Sequence, residues 1–295
     1  MRAVSRRTPA PAIVLVVAGM LVQEVGASLA VTLFPRVGPA GMTMLRLVFS
    51  AVILLVVARP SLRGHSRRAW LAVVRFAFAL VCMNSLFYFA LQRLPLGVAV
   101  TIAVLGPLVL SIVAARRASA WLWAVLALAG VAALGGGGWN RLDPLGVVFI
   151  LGAAAAWAWY ILSSARVGRE FPQLDGLAFA MALGAVLSLP LGIWQAGPAL
   201  LQPVLLAQAL GVAVLSSTIP YTFELIALRR VPAAVFAIFM AISPATASLA
   251  GFVLLHQSLT WLEIAGMVLV IAASIGAVRS EARAGRPVVE AEPLA

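Results

Sequence analysis

From Trp70 to Leu91 the chain reads WLAVVRFAFALVCMNSLFYFAL, with a single charge at Arg75. A helix of that length spans the ~30 Å hydrocarbon core of a bilayer. The same reading repeats outward in both directions. Apolar runs cover 11–34, 39–58, 70–91, 97–115, 121–137, 145–165, 176–195, 204–228, 233–255 and 261–278, separated by short loops that carry arginine or proline. The pattern predicts an all-α integral membrane protein of ten transmembrane helices, with no room for a soluble domain. The composition agrees: 63% hydrophobic, 10% charged and a mean hydropathy of +1.09, against about a quarter charged in globular domains. Cys82 is the one cysteine, so there is no disulfide framework.

The net charge of +12 comes from 21 basic residues, all arginine. They sit in loops and not on one folded face, so nucleic acid is not an expected partner. They also orient the chain. With the N-terminus in the cytoplasm, the cytoplasmic segments hold Arg2, Arg6, Arg7, Arg59, Arg63, Arg67, Arg68, Arg116, Arg117, Arg166, Arg169, Arg229, Arg230, Arg279, Arg283 and Arg286. The far side holds Arg36, Arg93 and Arg141. Positive charge gathers on the cytoplasmic side of membrane proteins, so both termini are expected there, in an inner membrane. The start of the chain also resembles a cleavable signal peptide, but Gln23 and Glu24 interrupt its apolar core, and the first run is read as a retained span.

An internal repeat appears at an offset of 137 residues. Ala90-Leu91-Gln92-Arg93-Leu94-Pro95 aligns with Ala227-Leu228-Arg229-Arg230-Val231-Pro232, Pro107 with Pro244, and Ser111 with Ser248. Seven of 23 positions match across 90–112 and 227–249. Each copy holds five spans, and an odd number inserts the second copy upside down. The division is 1–140 for the first five-helix repeat, 141–278 for the second, inverted one, and 279–295 for a cytoplasmic tail. Inverted repeats of this kind place the substrate near the midplane between the halves.

Ionisable groups inside a membrane span are costly and usually face a pathway or a partner. Glu24 sits near the middle of the first span, with Ser28 one turn on. It is read either as a substrate or proton group or as an ion-pair partner of Arg46. Glu224 and Arg75 lie in the cytoplasmic parts of their spans and could pair with each other. Three further polar faces follow helical spacing: Ser217, Tyr221 and Glu224; Asn84 and Tyr88; and Trp157, Tyr160 and Ser164. These residues are the candidate substrate pathway. For each hydroxyl the alternative is a bond to its own helix backbone. Pro107, Pro220 and Pro244 fall inside spans, where proline removes a backbone bond and kinks the helix. Gly106-Pro107 and Ser243-Pro244 occupy matching repeat positions, so these sites are candidate hinges.

No metal cluster, phosphate loop or nucleophile constellation is readable. The two histidines, His65 and His256, lie at loop or span ends, and Gly135–Gly138 lacks the lysine of a phosphate cradle. Neither a cofactor nor an enzymatic activity is expected.

At these residues the chain resembles a known family. Gly26-Ala27-Ser28-Leu29-Ala30, Leu45-Arg46-Leu47, Met83-Asn84, Leu86-Phe87-Tyr88, Pro95-Leu96-Gly97, Gly106-Pro107-Leu108, Tyr160-Ile161-Leu162-Ser163 and Pro220-Tyr221 with Glu224-Leu225-Ile226-Ala227-Leu228 are similar to the EamA group of the drug/metabolite transporter superfamily. Within it they resemble the threonine/homoserine exporters. The resemblance implies ten helices in two inverted halves and export of small metabolites. The chain departs from the pattern at Ala103, where a glutamate is usual, at Ser243-Pro244 in place of Glu-Pro, and at His256-Gln257 in place of Gly-Glu. Glu24 stands where glutamine is usual. The expectation is therefore an inner-membrane exporter of small polar metabolites, most plausibly amino acids, working by alternating access with protons as coupling ion. The alternatives are a multidrug or lipophilic-cation exporter, and a non-transporting membrane scaffold. The sequence leaves monomer and homodimer both open.

Overall fold

The computed structural model describes residues 10–115, 118–134, 142–172, 174–220, 223 and 241–283. Among them there is no strand; every element is helical. In chain order these are α1 (Ala10–Ala58), α2 (Arg67–Leu91), α3 (Leu96–Ala103), α4 (Leu105–Ala115), α5 (Ala118–Leu134), α6 (Pro144–Glu170), α7 (Asp175–Ala196), a 3-10 turn (Gly197–Leu201), α8 (Pro203–Ala213), a π-helical turn (Val214–Thr218), α9 (Ser243–Leu255) and α10 (Trp261–Arg283). Five stretches are long and apolar enough to cross a membrane: Val16–Ala58, Arg67–Leu91, Pro144–Glu170, Asp175–Leu201 and Trp261–Ser280. Four shorter apolar helices accompany them.

α1 is two limbs joined at a sharp break. Gly38 has φ +66°, a left-handed value that favours glycine, and it lies between Pro35 and Pro39. The second limb starts with backbone N–H groups that have no partner of their own. Gln195, at the end of α7, supplies one: its Oε1 accepts from the Ala40 N–H at 2.6 Å and the Gly41 N–H at 3.4 Å. A Cβ on Gly38 would overlap that Gln195 side chain. The loop before α3 is closed in a similar way, with Gln257 Oε1 accepting from the Leu96 N–H at 2.9 Å.

Pro107 withholds an N–H from the Ala103 carbonyl, and the helix is interrupted there: α3 ends at Ala103 and α4 begins at Leu105. Gly106 at this kink lies directly on the Ala154 backbone of α6. Pro244 falls in the first turn of α9, where a missing N–H leaves no bond unmade.

The bundle is filled by side chains such as Met42, Leu80, Tyr88, Ile102 and Ile150, all under 2% exposed. Its outside is apolar: Val52, Leu128, Val148, Trp194 and Phe252 are largely exposed. An apolar exterior on this scale suits lipid, where backbone polarity must be satisfied inside the helices.

Candidate functional site

The polar centre of the bundle forms around Arg46, in the second limb of α1. Its Nε donates to Ser217 Oγ at 3.0 Å, one terminal nitrogen to the Tyr88 hydroxyl at 3.3 Å, and the other to the Ser216 carbonyl at 3.0 Å. The guanidinium carbon also lies 5.7 Å from the centre of the Tyr88 ring. The Ser216 carbonyl is available for a local reason. Pro220, four residues on, has no N–H to give it, and the chain here is wound as a π-turn over Val214–Thr218. Arg46 supplies that carbonyl with a charged donor from another helix.

The first limb of α1 closes against the same turn. Gly26 sits so near Ser216 that a Cβ there would overlap Ser216 Oγ and come within 3.0 Å of Leu215 Cβ. Glu24 on this limb is 4% exposed, and the charge of Arg46 acts on it. Ser28, one turn on, is fully buried. The hydroxyls of Ser28 and Ser216 are buried and have no hydrogen-bond partner among the described residues. Most buried side-chain polar atoms are bonded, so two unmatched hydroxyls beside a buried acid and a fixed guanidinium mark this place out chemically.

The structure therefore brings together Arg46, Tyr88 and Ser217 from the sequence-derived set, with Glu24 under the charge of Arg46 and Ser28 buried one turn along from Glu24. Other members lie elsewhere or bond locally. Asn84 donates to the Leu80 carbonyl of its own helix at 2.8 Å. Ser164 donates to the Ile161 carbonyl at 2.9 Å. Tyr160 packs its ring 5.0 Å from Phe76, which is roughly 18 Å along α2 from Tyr88 at 1.5 Å per residue. Trp157 is half-buried against the main core. Arg75 is exposed on α2. Tyr221 and Glu224 lie outside the described residues.

Sequence reasoning missed Ser216, the π-turn and the two glutamine caps. A carbonyl four residues before an intramembrane proline could have pointed to Ser216. Nothing local marks Gln195 or Gln257, because each acts on a helix more than 150 residues away.

Comparison with known proteins places this geometry. The model of the EamA-like transporter family matches residues 144–279. The threonine/homoserine exporter RhtA of Salmonella typhimurium is 38% identical over 268 residues, covering 90% of each chain. Its Escherichia coli counterpart is 37% identical over 278 residues, 92% of this chain and 94% of the relative. The chain belongs to the EamA family. An uncharacterised transporter, YwfM of Bacillus subtilis, is 30% identical over 244 residues, 78% of this chain and 82% of that one. A solved crystal structure shares the fold with a TM-score of 0.65 over 93% of this chain and 99% of its own, at 19% identity. As an EamA-family protein with several apolar helices of membrane-spanning length, the chain is a multi-pass membrane protein, and its named relatives are transporters.

Proposed function

We propose that this chain exports a small hydroxylated amino acid of the threonine or homoserine kind across the inner membrane. The observation that carries the reading is the arrangement at Arg46: a guanidinium held in place by Ser217, Ser216 and Tyr88, facing the first limb with its buried Glu24. A zwitterion presents a carboxylate and an ammonium, and Arg46 and Glu24 attract one each. The unmatched hydroxyls of Ser28 and Ser216 suit a substrate that brings a hydroxyl of its own. Likeness to the threonine/homoserine exporters over nine-tenths of the chain supports the same class.

The transport cycle in this reading is alternating access by ten spans in two inverted halves, 1–140 and 141–278, with both termini cytoplasmic. Its support is a pairing pattern. Gln195 ties the seventh span to the second, Gln257 the ninth to the fourth, and Gly130 packs on Gly266 between the fifth and tenth. Gly26 on Ser216 joins the first to the eighth, and Phe76 on Tyr160 the third to the sixth. Exchanging each span with the one five places on returns the same set of pairs, as a two-fold axis in the membrane plane requires. Pro107 and Pro220, each beside a local change of helix winding, are the bending points.

Protons are the proposed coupling ion and Glu24 the group that carries them, since a carboxyl in this position can hold a proton or, once ionised, bind an ammonium, but not both at once. Counterflow of labelled threonine in proteoliposomes, run against lysine and a lipophilic cationic dye, tests the substrate class. Saturable exchange of threonine or homoserine supports it; exchange of the dye alone overturns it.

A further inference from the structure

The end of the bundle that holds the Gly38 break is fastened by two exposed polar clasps. Arg36 donates to the Gln208 side-chain oxygen at 3.2 Å and to that of Gln202. Arg93 pairs with Asp143 at 2.7 Å, both about a third exposed. Phe34 and Tyr88, four residues before Gly38 and four before Gln92, have rings 5.4 Å apart, which sets both clasps at the same end. Each clasp joins a residue before position 140 to one after 141.

Their position relative to the polar centre is specific. Gly26 lies on Ser216, and α1's first limb runs antiparallel to the helix of residues 203–220. Arg36 is ten residues beyond Gly26 and Gln208 eight before Ser216, so that clasp stands roughly 12–15 Å above the centre. Arg93 follows Tyr88 by five residues, just past the end of the same helix. The two clasps thus bridge the elements that supply Ser216, Ser217 and Tyr88, at the end a substrate leaving in this direction would cross. The glutamine caps at the same end bond to backbone N–H groups and fix helix starts. The clasps instead join flexible side chains in water, where such links are weak and readily exchanged.

We propose that Arg36 with Gln202 and Gln208, and Arg93 with Asp143, form the outer gate: clasps that close the polar centre toward the Gly38 end and must part for substrate to exit. The proposal rests on the export reading for its direction of traffic, but not for its geometry.

A thiol at Ser28, in a Cys82→Ser background, reports access to the centre. A membrane-impermeant thiol reagent is added on the Gly38 side. Asp143→Asn breaks the ion pair while keeping an oxygen for the Leu145 and Gly146 N–H groups that Asp143 caps. Arg36→Gln breaks the other clasp. The expected result is labelling about fivefold faster for either variant and faster still for both. Unchanged labelling in the double variant overturns the gate. Should Ser28→Cys fail to fold, Arg36→Cys with Gln208→Cys is joined by a reducible bis-maleimide. Cross-linking should stop export and reduction restore it; export at the parental rate while cross-linked overturns the gate. Faster labelling in a protein that moves no amino acid would instead keep the gate and refute the proposed substrate.

Discussion

The Arg46 guanidinium donates at 3.0 Å to the Ser216 carbonyl, in the π-turn that precedes Pro220. One helix thereby donates into a turn of another. The bond binds α1's second limb to the π-turn, and Tyr88 on α2 joins through the same side chain. An arginine 174 positions earlier in the chain thereby braces the turn before Pro220, and its charge acts on Glu24.

Replacing Arg46 tests that account. Arg46→Leu removes the donor shared by Ser217, Tyr88 and the Ser216 carbonyl, where a hydrogen bond to a charged group contributes ~1.5–3 kcal/mol, so folded yield and thermal stability in detergent should fall. Arg46→Lys keeps the charge and one donor but cannot reach three acceptors in a fork. It should fold better than Arg46→Leu and still lose most transport. Fluorescence-detected size exclusion with a transport assay on each variant reads both effects; equal stability of Arg46→Leu and parental protein would count against the turn-bracing role.

Glu24→Gln keeps the side chain's size and hydrogen bonding while removing its exchangeable proton. Membrane levels should be normal, since glutamine fills the same volume and keeps a hydrogen-bonding side chain. Transport driven by a pH gradient in inverted vesicles should be lost, while exchange down the substrate's own gradient persists. Undiminished gradient-driven transport would remove Glu24 from coupling. A lowered folded yield that Arg46→Gln restores would make it a structural partner of Arg46.

Pro107→Ala returns a backbone N–H to the Ala103 carbonyl and straightens the interrupted α3–α4 helix. Transport should slow more than folded yield declines. If the variant transports at the parental rate, the kink serves packing against Ala154 and not motion.

The outer ion pair has a defined pH dependence. The Arg93 guanidinium bonded to Asp143, with help from the Leu145 and Gly146 N–H groups, holds that carboxyl below the usual carboxylate range. A depressed carboxyl contributes its stabilisation above the unfolded value of ~3.9 and loses it as pH falls through the lower, folded one. Access to the Ser28 thiol from the Gly38 side, taken as the labelling rate divided by the thiol's own thiolate fraction, should therefore stay flat from about pH 5.5 to 8. A rise within that window would implicate a different titrating group.

Much of the fold was legible because the bilayer sets helix length. The runs read at 70–91, 145–165, 176–195 and 261–278 correspond to helices Arg67–Leu91, Pro144–Glu170, Asp175–Ala196 and Trp261–Arg283. The break between the first two runs was marked by Pro35, Gly38 and Pro39. The site was legible only as residue types. Glu24, Arg46 and Tyr88 stood out because polar groups in apolar runs are rare, but hydropathy says nothing of which helices meet. Helical spacing grouped Trp157, Tyr160 and Ser164 with the pathway; in three dimensions Tyr160 joins an aromatic cluster with Phe76, and Ser164 bonds its own helix. The Gln195 cap and the Arg36 clasp depend on residues distant in sequence, and no local pattern announces them.

The most direct test of the central claim is counterflow in proteoliposomes containing the purified chain, loaded with unlabelled threonine or homoserine and given the labelled amino acid outside. The account predicts saturable uptake that Arg46→Lys diminishes, that Glu24→Gln leaves in place, and that a cationic dye does not displace. No uptake of either amino acid by folded parental protein, with exchange of the dye in its place, would contradict it.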